Sequence, residues 1–155
     1  MPQYFNTSLR NLNYRLRKFK TILSQELENT ILDNESVIVE MITQQQLYEQ
    51  GIEGRGIEIL SYAPYAESTI RKKIKKGQPT NRVTLKDTGD FYKSLRIEFD
   101  DKGFYIASND FKSPYLLEKY GPTIFRLTDE NLKILIHRYV RPALTVKLKE
   151  YLQNG

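Results

Sequence analysis

Cysteine is absent from this 155-residue chain, tryptophan is absent too, and histidine occurs once, as His137. Without cysteine there is no disulfide framework, no thiolate nucleophile and no cysteine-ligated zinc. That fits a reducing compartment or a particle assembled in one. A single histidine removes any site that needs two imidazoles from one chain. The apolar runs are a few residues long, too short to span a bilayer, so no membrane partner is expected. Met1–Leu9 carries no apolar core of the kind a secretory leader has, so no leader is expected.

What remains has the make-up of an ordinary globular protein. Apolar residues are 39%, aromatic 12% and charged 28%, with a mean hydropathy of −0.56. The length is that of one domain, large enough to bury a core, and we expect one domain over residues 1–155.

Charge is sorted along the chain more than it is unbalanced. Lys and Arg number 24 against 19 Asp and Glu, a net +5. Arg10, Arg15, Arg17, Lys18 and Lys20 precede the first acid, Glu26. From Glu26 to Glu67 nine acids are opposed only by Arg55. The run Arg71, Lys72, Lys73, Lys75, Lys76, Arg82 and Lys86 then meets no acid before Asp87. Segregation of this kind suits a polar partner, nucleic acid or a complementary protein face. Each run taken alone also reads as a solvated helix face.

Hydrophobic spacing divides the chain into four regions. Residues 7–50 are helical. Leu9, Leu12, Leu16, Phe19, Leu23, Leu27 and Ile31 recur every three or four residues over 7–32, and the period resumes after Asp33-Asn34 to end near Gly51. Residues 51–82 form a connection: Gly51, Gly54 and Gly56 mark a turn unlike a phosphate loop, and a short basic helix over 67–76 closes at Gly77. Residues 83–127 hold a β-hairpin. Leu95–Phe99 alternates apolar and polar, Asp101-Lys102-Gly103 turns, and Phe104–Ser108 returns. A short helix over 115–120 stops at Gly121-Pro122, and 125–127 is extended. Residues 128–153 form a C-terminal helix that Thr128 caps and Pro142 kinks or restarts. The fold class expected is α+β, a long N-terminal helix and a C-terminal helix packed on a small antiparallel β-sheet.

Candidate chemistry is sparse. His137 lies mid-helix with no assignable nucleophile or orienting acid. Asp87, Asp90, Asp100 and Asp101 fall at a helix start and a hairpin tip, with no paired magnesium-binding motif. Ser94 and Ser108 lack a nucleophile-elbow context. No enzyme activity and no cofactor are expected. The best nucleic-acid candidates are Arg71, Lys72, Lys73, Lys75, Lys76 and Arg82, with Tyr62, Tyr65 and Tyr92 near them as stacking surfaces. Non-specific contact with DNA or with an acidic protein surface stays open.

The second half of the chain also carries an ordered set of fragments. Leu85-Lys86-Asp87-Thr88-Gly89-Asp90-Phe91-Tyr92-Lys93-Ser94-Leu95 resembles the L-x-D-T-G-x-L-x-x-S-I/L signature of tailed-phage tail-completion and virion-morphogenesis proteins. Tyr115–Gly121, with Glu118, is similar to their Y-A-x-x-x-E-x-G segment, and Arg141-Pro142-Ala143-Leu144 to their R-P-A/F-L element. The likeness covers residues 83–152. Phe91 stands where the family has leucine, and the stretch 51–80 has no counterpart. The second half also resembles neck proteins of gut Bacteroidetes phages, including the crAss-like group.

The resemblance implies a structural virion subunit, assembled in the bacterial cytoplasm. It would form a homo-oligomeric ring at the neck among portal, neck and tail proteins, with packaged DNA as a further contact. It marks Asp87, Thr88, Gly89, Ser94, Glu118, Gly121, Arg141 and Pro142 as structural motif positions. The alternative is a small DNA-binding or packaging-associated phage protein that uses residues 71–86. A hydrolase or nuclease centred on Asp87 is the third reading.

Overall fold

A computed structural model describes residues 4–154, with side chains from Leu9 onward. Met1, Pro2 and Gln3 of the Met1–Leu9 stretch lie outside the described residues. The chain is α+β, as its spacing predicts: seven α-helical segments and one two-stranded antiparallel sheet among the described residues. The single domain expected from length is organised as two compact units. A helical unit holds the described part of Met1–Asn34 and Leu135–Gly155, and a central unit holds Glu35–Ile134.

In the helical unit, α1 (Tyr4–Asp33) is unbroken for 30 residues. A π-helical turn, Ile136–Val140, leads into α7 (Arg141–Asn154). Pro142 has no N–H to donate, and the π turn ends at Val140, so the expected restart at Arg141 is seen. Helix α7 runs antiparallel to α1. The Tyr151 ring sits 4.9 Å from that of Phe19 and its hydroxyl donates to the Arg15 carbonyl at 2.9 Å, while Lys147 lies 3.8 Å from Glu26.

The central unit opens with α2 (Glu35–Glu40), which passes into a ten-residue π-helical stretch, Met41–Gln50. Apolar spacing predicts a helix ending at Gly51, and the end falls there. The interior differs: i→i+5 pairing turns Met41, Ile42, Thr43, Gln46 and Leu47 inward together. Next come α3 (Glu67–Lys75), α4 (Asp90–Lys93), strands β1 (Leu95–Asp100) and β2 (Gly103–Ser108), α5 (Ser113–Tyr120) and α6 (Asp129–Leu135, whose last residue falls in the helical unit).

The hairpin register pairs Ile97 with Ile106 on the buried face and Glu98 with Tyr105 on the outer one, where the Tyr105 hydroxyl donates to Glu98 at 2.8 Å. Asp100 closes the turn by accepting from the Lys102 and Gly103 amides. Helix α2 flanks β1, and Glu35 accepts from the Ile97 amide at 2.7 Å. Ile38, Ile42, Leu47, Ile59, Val83 and Ile124 are wholly buried, each contributing about 1.5–3 kcal/mol of transfer free energy.

One local expectation is corrected. The extended stretch expected over 125–127 begins later: Phe125 is the last residue of a 3₁₀ turn, Pro122–Phe125, and Arg126, just past it, has extended backbone. Pro122 presets the turn's φ, and the Arg126 amide closes it on the Thr123 carbonyl.

The connection at 51–59 is pinned, not slack. The carboxylate of Glu53 is fully buried. It accepts from the Arg55 amide at 3.1 Å and the Ile57 amide at 3.3 Å, and pairs with the Arg55 guanidinium at 3.1 Å. Burial pushes this carboxyl up, but the bonds from Thr123, Arg55 and Ile57 outweigh it, so it titrates below the ordinary glutamate value. Gly54 is glycine because the loop passes so near Arg126 that a Cβ there would lie 2.4 Å from the Arg126 Cβ.

Candidate functional site

In the central unit the basic helix and the Asp87-Thr88-Gly89 motif meet. Between them is a hollow of about 210 Å³ lined by Lys73, Leu85, Asp87, Phe91, Lys112 and Leu116, among others. Helix α3 begins with Glu67 and gathers its cations in its last turn, as the helix dipole favours. The six candidate cations, four of them on α3, point in different directions.

Lys72 and Lys75 face solvent, and Arg71 does too, 3.0 Å from Glu67 one turn back. Lys73 turns inward and is 7% exposed. Its ammonium donates to the Thr84 hydroxyl at 3.4 Å and the Lys86 carbonyl at 3.3 Å, and lies 5.1 Å from the Tyr65 ring centre. Lys76 pairs with Asp87. Arg82 donates to the Tyr48 carbonyl at 2.6 Å and to Asn81 at 2.9 Å.

The tyrosines near this run are occupied within the fold as well. Tyr65 accepts from the Thr84 amide at 3.0 Å, and Tyr92 donates to the Thr84 carbonyl. Burial, reinforced by Tyr65 and Tyr48, pushes the Tyr92 phenol above its ordinary value. Tyr62 donates to the Tyr120 carbonyl at 2.9 Å. Lys86 sits between the rings of Tyr48 and Tyr92, 4.7 and 5.7 Å from their centres.

These contacts hold a strained turn. Leu85 has φ 53, the one positive value outside glycine among the described residues, and such backbone costs about 1–2 kcal/mol. Bonds to Thr84 before it and to the Lys86 carbonyl after it keep it there. The motif then turns at Gly89, φ 92, which is itself the N-cap of α4. Gly89 has no side chain with which to cap the helix. The Asp87 carboxylate goes to Lys76, while the Thr88 oxygen approaches the Asp90 amide only at 3.4 Å and donates to the Asp90 carboxylate. The hydrogen bond from Lys76, with Lys112 and Lys73 nearby, keeps the Asp87 carboxyl below its ordinary value.

Ser94 ends α4 and starts a chain of hydroxyls. Its oxygen lies 2.6 Å from that of Ser108 on β2, which lies 2.5 Å from that of Ser113 at the start of α5. Glu118 is exposed on α5 and Gly121 follows its end. Arg141 and Pro142 belong to the helical unit, exposed at the first turn of α7, and His137 is exposed on the π-helical turn before it.

The structure therefore brings together Asp87, Thr88, Gly89, Lys73 and Lys76, and links Ser94 to the hairpin. As chemistry, the cluster is a fastening: carboxylate, ammonium and hydroxyl groups satisfy one another. Among the described residues no group of three or more His, Asp or Glu is placed to hold a metal ion, and no helix is long and apolar enough to cross a membrane. The buried Gln46 and Glu53 escaped the sequence reading, since nothing local distinguishes them from surface residues. No family model, curated protein or solved structure matches the chain.

Proposed function

We propose that this chain is a non-enzymatic structural subunit of a tailed-phage virion, forming a ring at the neck between portal and tail. The observation that carries the reading is the use made of the motif. Asp87, Thr88 and Ser94 are each spent on a partner inside the fold: Lys76, Asp90 and Ser108 respectively. A motif of that kind fixes the angle between a helix, a turn and a hairpin, as a subunit that must present a defined face needs. The order of fragments over residues 83–152 supports the phage assignment, and the unequal charge of the chain supports assembly with unlike surfaces.

The alternative is non-specific DNA binding through residues 71–86. Arg71, Lys72 and Lys75 are outward cations, Lys76 is exposed but paired with Asp87, and Lys73 and Arg82 are bonded to backbone carbonyls. Two of the six cations are thus tied to backbone carbonyls and a third is paired with Asp87, which favours the structural reading.

Quantitative mass spectrometry of purified particles of the parent phage, counting this chain against the major capsid protein, tests the proposal. A small ring's worth of copies per particle is expected. Copies in the hundreds would move the protein to capsid or tail tube, and absence from mature particles would overturn the neck assignment.

A further inference from the structure

The net charge of the protein resides in one of its two units. The helical unit has nine Lys and Arg against four Asp and Glu, a net +5, whereas the central unit has fifteen of each. Among the described residues, none of Arg10, Arg15, Arg17, Lys18 and Lys20 lies within ion-pair distance of a carboxylate.

The same unit has an apolar seam that is only partly covered. Leu9, Leu12, Leu16, Phe19 and Leu23 are spaced 3-4-3-4, the 3.5-residue average of a coiled-coil interface. Helix α7 covers only one edge of that stripe. Tyr151 is opposite Arg15 and Phe19, so Leu9 and Leu12 lie on the N-terminal side of that contact. Leu9, Leu12 and Leu16 are 51%, 52% and 55% exposed. Beside them an apolar groove of about 330 Å³ opens between the helices, lined by Phe19, Leu23, Ile136, Val140, Leu144 and Leu148. Leu152, one turn beyond Leu148, is 63% exposed and extends the apolar row on α7.

We infer that this hairpin of α1 and α7 is an incomplete helical bundle that takes an acidic amphipathic helix of a different protein. The seam and groove bury its leucine face, and the cations of α1 meet its carboxylates. Charge decides among occupants. A second helical unit would place +5 on +5. Nucleic acid would satisfy the cations and leave the leucine stripe in water. An acidic helix with heptad leucines satisfies both. The inference concerns this hairpin alone and holds whether or not the chain is a virion protein.

The test uses the full-length protein and two designed peptides of about 20 residues, long enough to run about 30 Å along the groove. Both carry leucines at 3-4 spacing; one has Glu and the other Lys at every flanking position. Fluorescence anisotropy is expected to show the Glu peptide binding at least tenfold more tightly than the Lys peptide. The double variant L12Q/L16Q should weaken the Glu peptide at least tenfold while its thermal midpoint stays at the wild-type value, since both side chains are already half in water. R15E/K18E should narrow the preference between the peptides. Equal binding of the two peptides, or no binding of either, overturns the inference. So does self-association in sedimentation that L12Q/L16Q abolishes, which would make a second copy the occupant. Loss of DNA or anionic-vesicle binding in the same variant would also overturn it.

Discussion

Glu53 shows how one side chain can organise a loop. Its carboxylate is removed from water, yet it stays ionised because two backbone amides and the Arg55 guanidinium converge on it. Glu53→Gln keeps the shape but offers an amide group where donors already point. The expected loss at pH 7 is about 1.5–3 kcal/mol, the range for bonds to a charged group. Because folding lowers this carboxyl from its ordinary 4.5, its stabilisation is complete above that value and fades as pH falls through the folded one. Thermal melts should show the same gap between wild type and Glu53→Gln at pH 7 and pH 5 and a smaller one at pH 3. A gap that stays constant would mean the carboxylate charge is not what holds the loop.

At the scale of elements, Gln46 joins two that are far apart in sequence. From the π-helical stretch its side-chain nitrogen donates to the Arg126 carbonyl at 3.0 Å. Its oxygen accepts from the Thr128 amide at 2.9 Å and from Asn131 at 3.0 Å. The first turn of α6 thus has an amide satisfied from outside the helix, while Thr128 accepts from the Asn131 amide at 3.2 Å. Gln46→Leu, similar in volume, strands the Thr128 amide and Asn131 without water. A cost of about 2–4 kcal/mol is expected by chemical denaturation, from unpaired groups worth about 1–3 kcal/mol each. Faster amide exchange at Asn131 and Leu132 should accompany it, and an unchanged midpoint would show that water replaces the glutamine.

What was legible in the sequence separates along the same line. The hairpin at 95–108, the helix stops at Gly51, Gly77 and Gly121 and the restart near Pro142 are written in local spacing and in turn residues, and each is found. The π-helical stretches were not legible, because one extra residue per turn leaves a short apolar pattern almost unchanged. Nor were the roles of Gln46 and Lys73, whose partners lie tens of residues away or fold back on a strained turn. Of the candidate site, its residues were legible but not the inward turn of Lys73, the pairing of exposed Lys76 with Asp87, or the bond of Arg82 to the Tyr48 carbonyl. A run of cations reads alike whether a helix shows all of them or half.

For the whole molecule, the consequence of sorted charge is where polyanions would act. Net charge governs long-range attraction more than any one pair does. The helical unit carries the +5 with its α1 cations unpaired, while the central unit is neutral, with Lys73 and Arg82 bonded to backbone carbonyls and Lys76 paired with Asp87. Whatever affinity the protein has for duplex DNA should therefore come from α1, not from residues 71–86. Each phosphate contact contributes about 0.9 to the slope of log affinity against log salt. The variant R15Q/R17Q/K18Q is expected to lower that slope by about 2 or more, and R71Q/K72Q/K75Q by less than about 1. Titrations of labelled duplex at several salt concentrations read both slopes directly. The reverse order would restore the basic helix α3 as the DNA-facing element and make the packaging-associated reading the leading one. The expected order leaves α3 and its motif to shape the central unit, and gives contact with anionic partners to the helical hairpin.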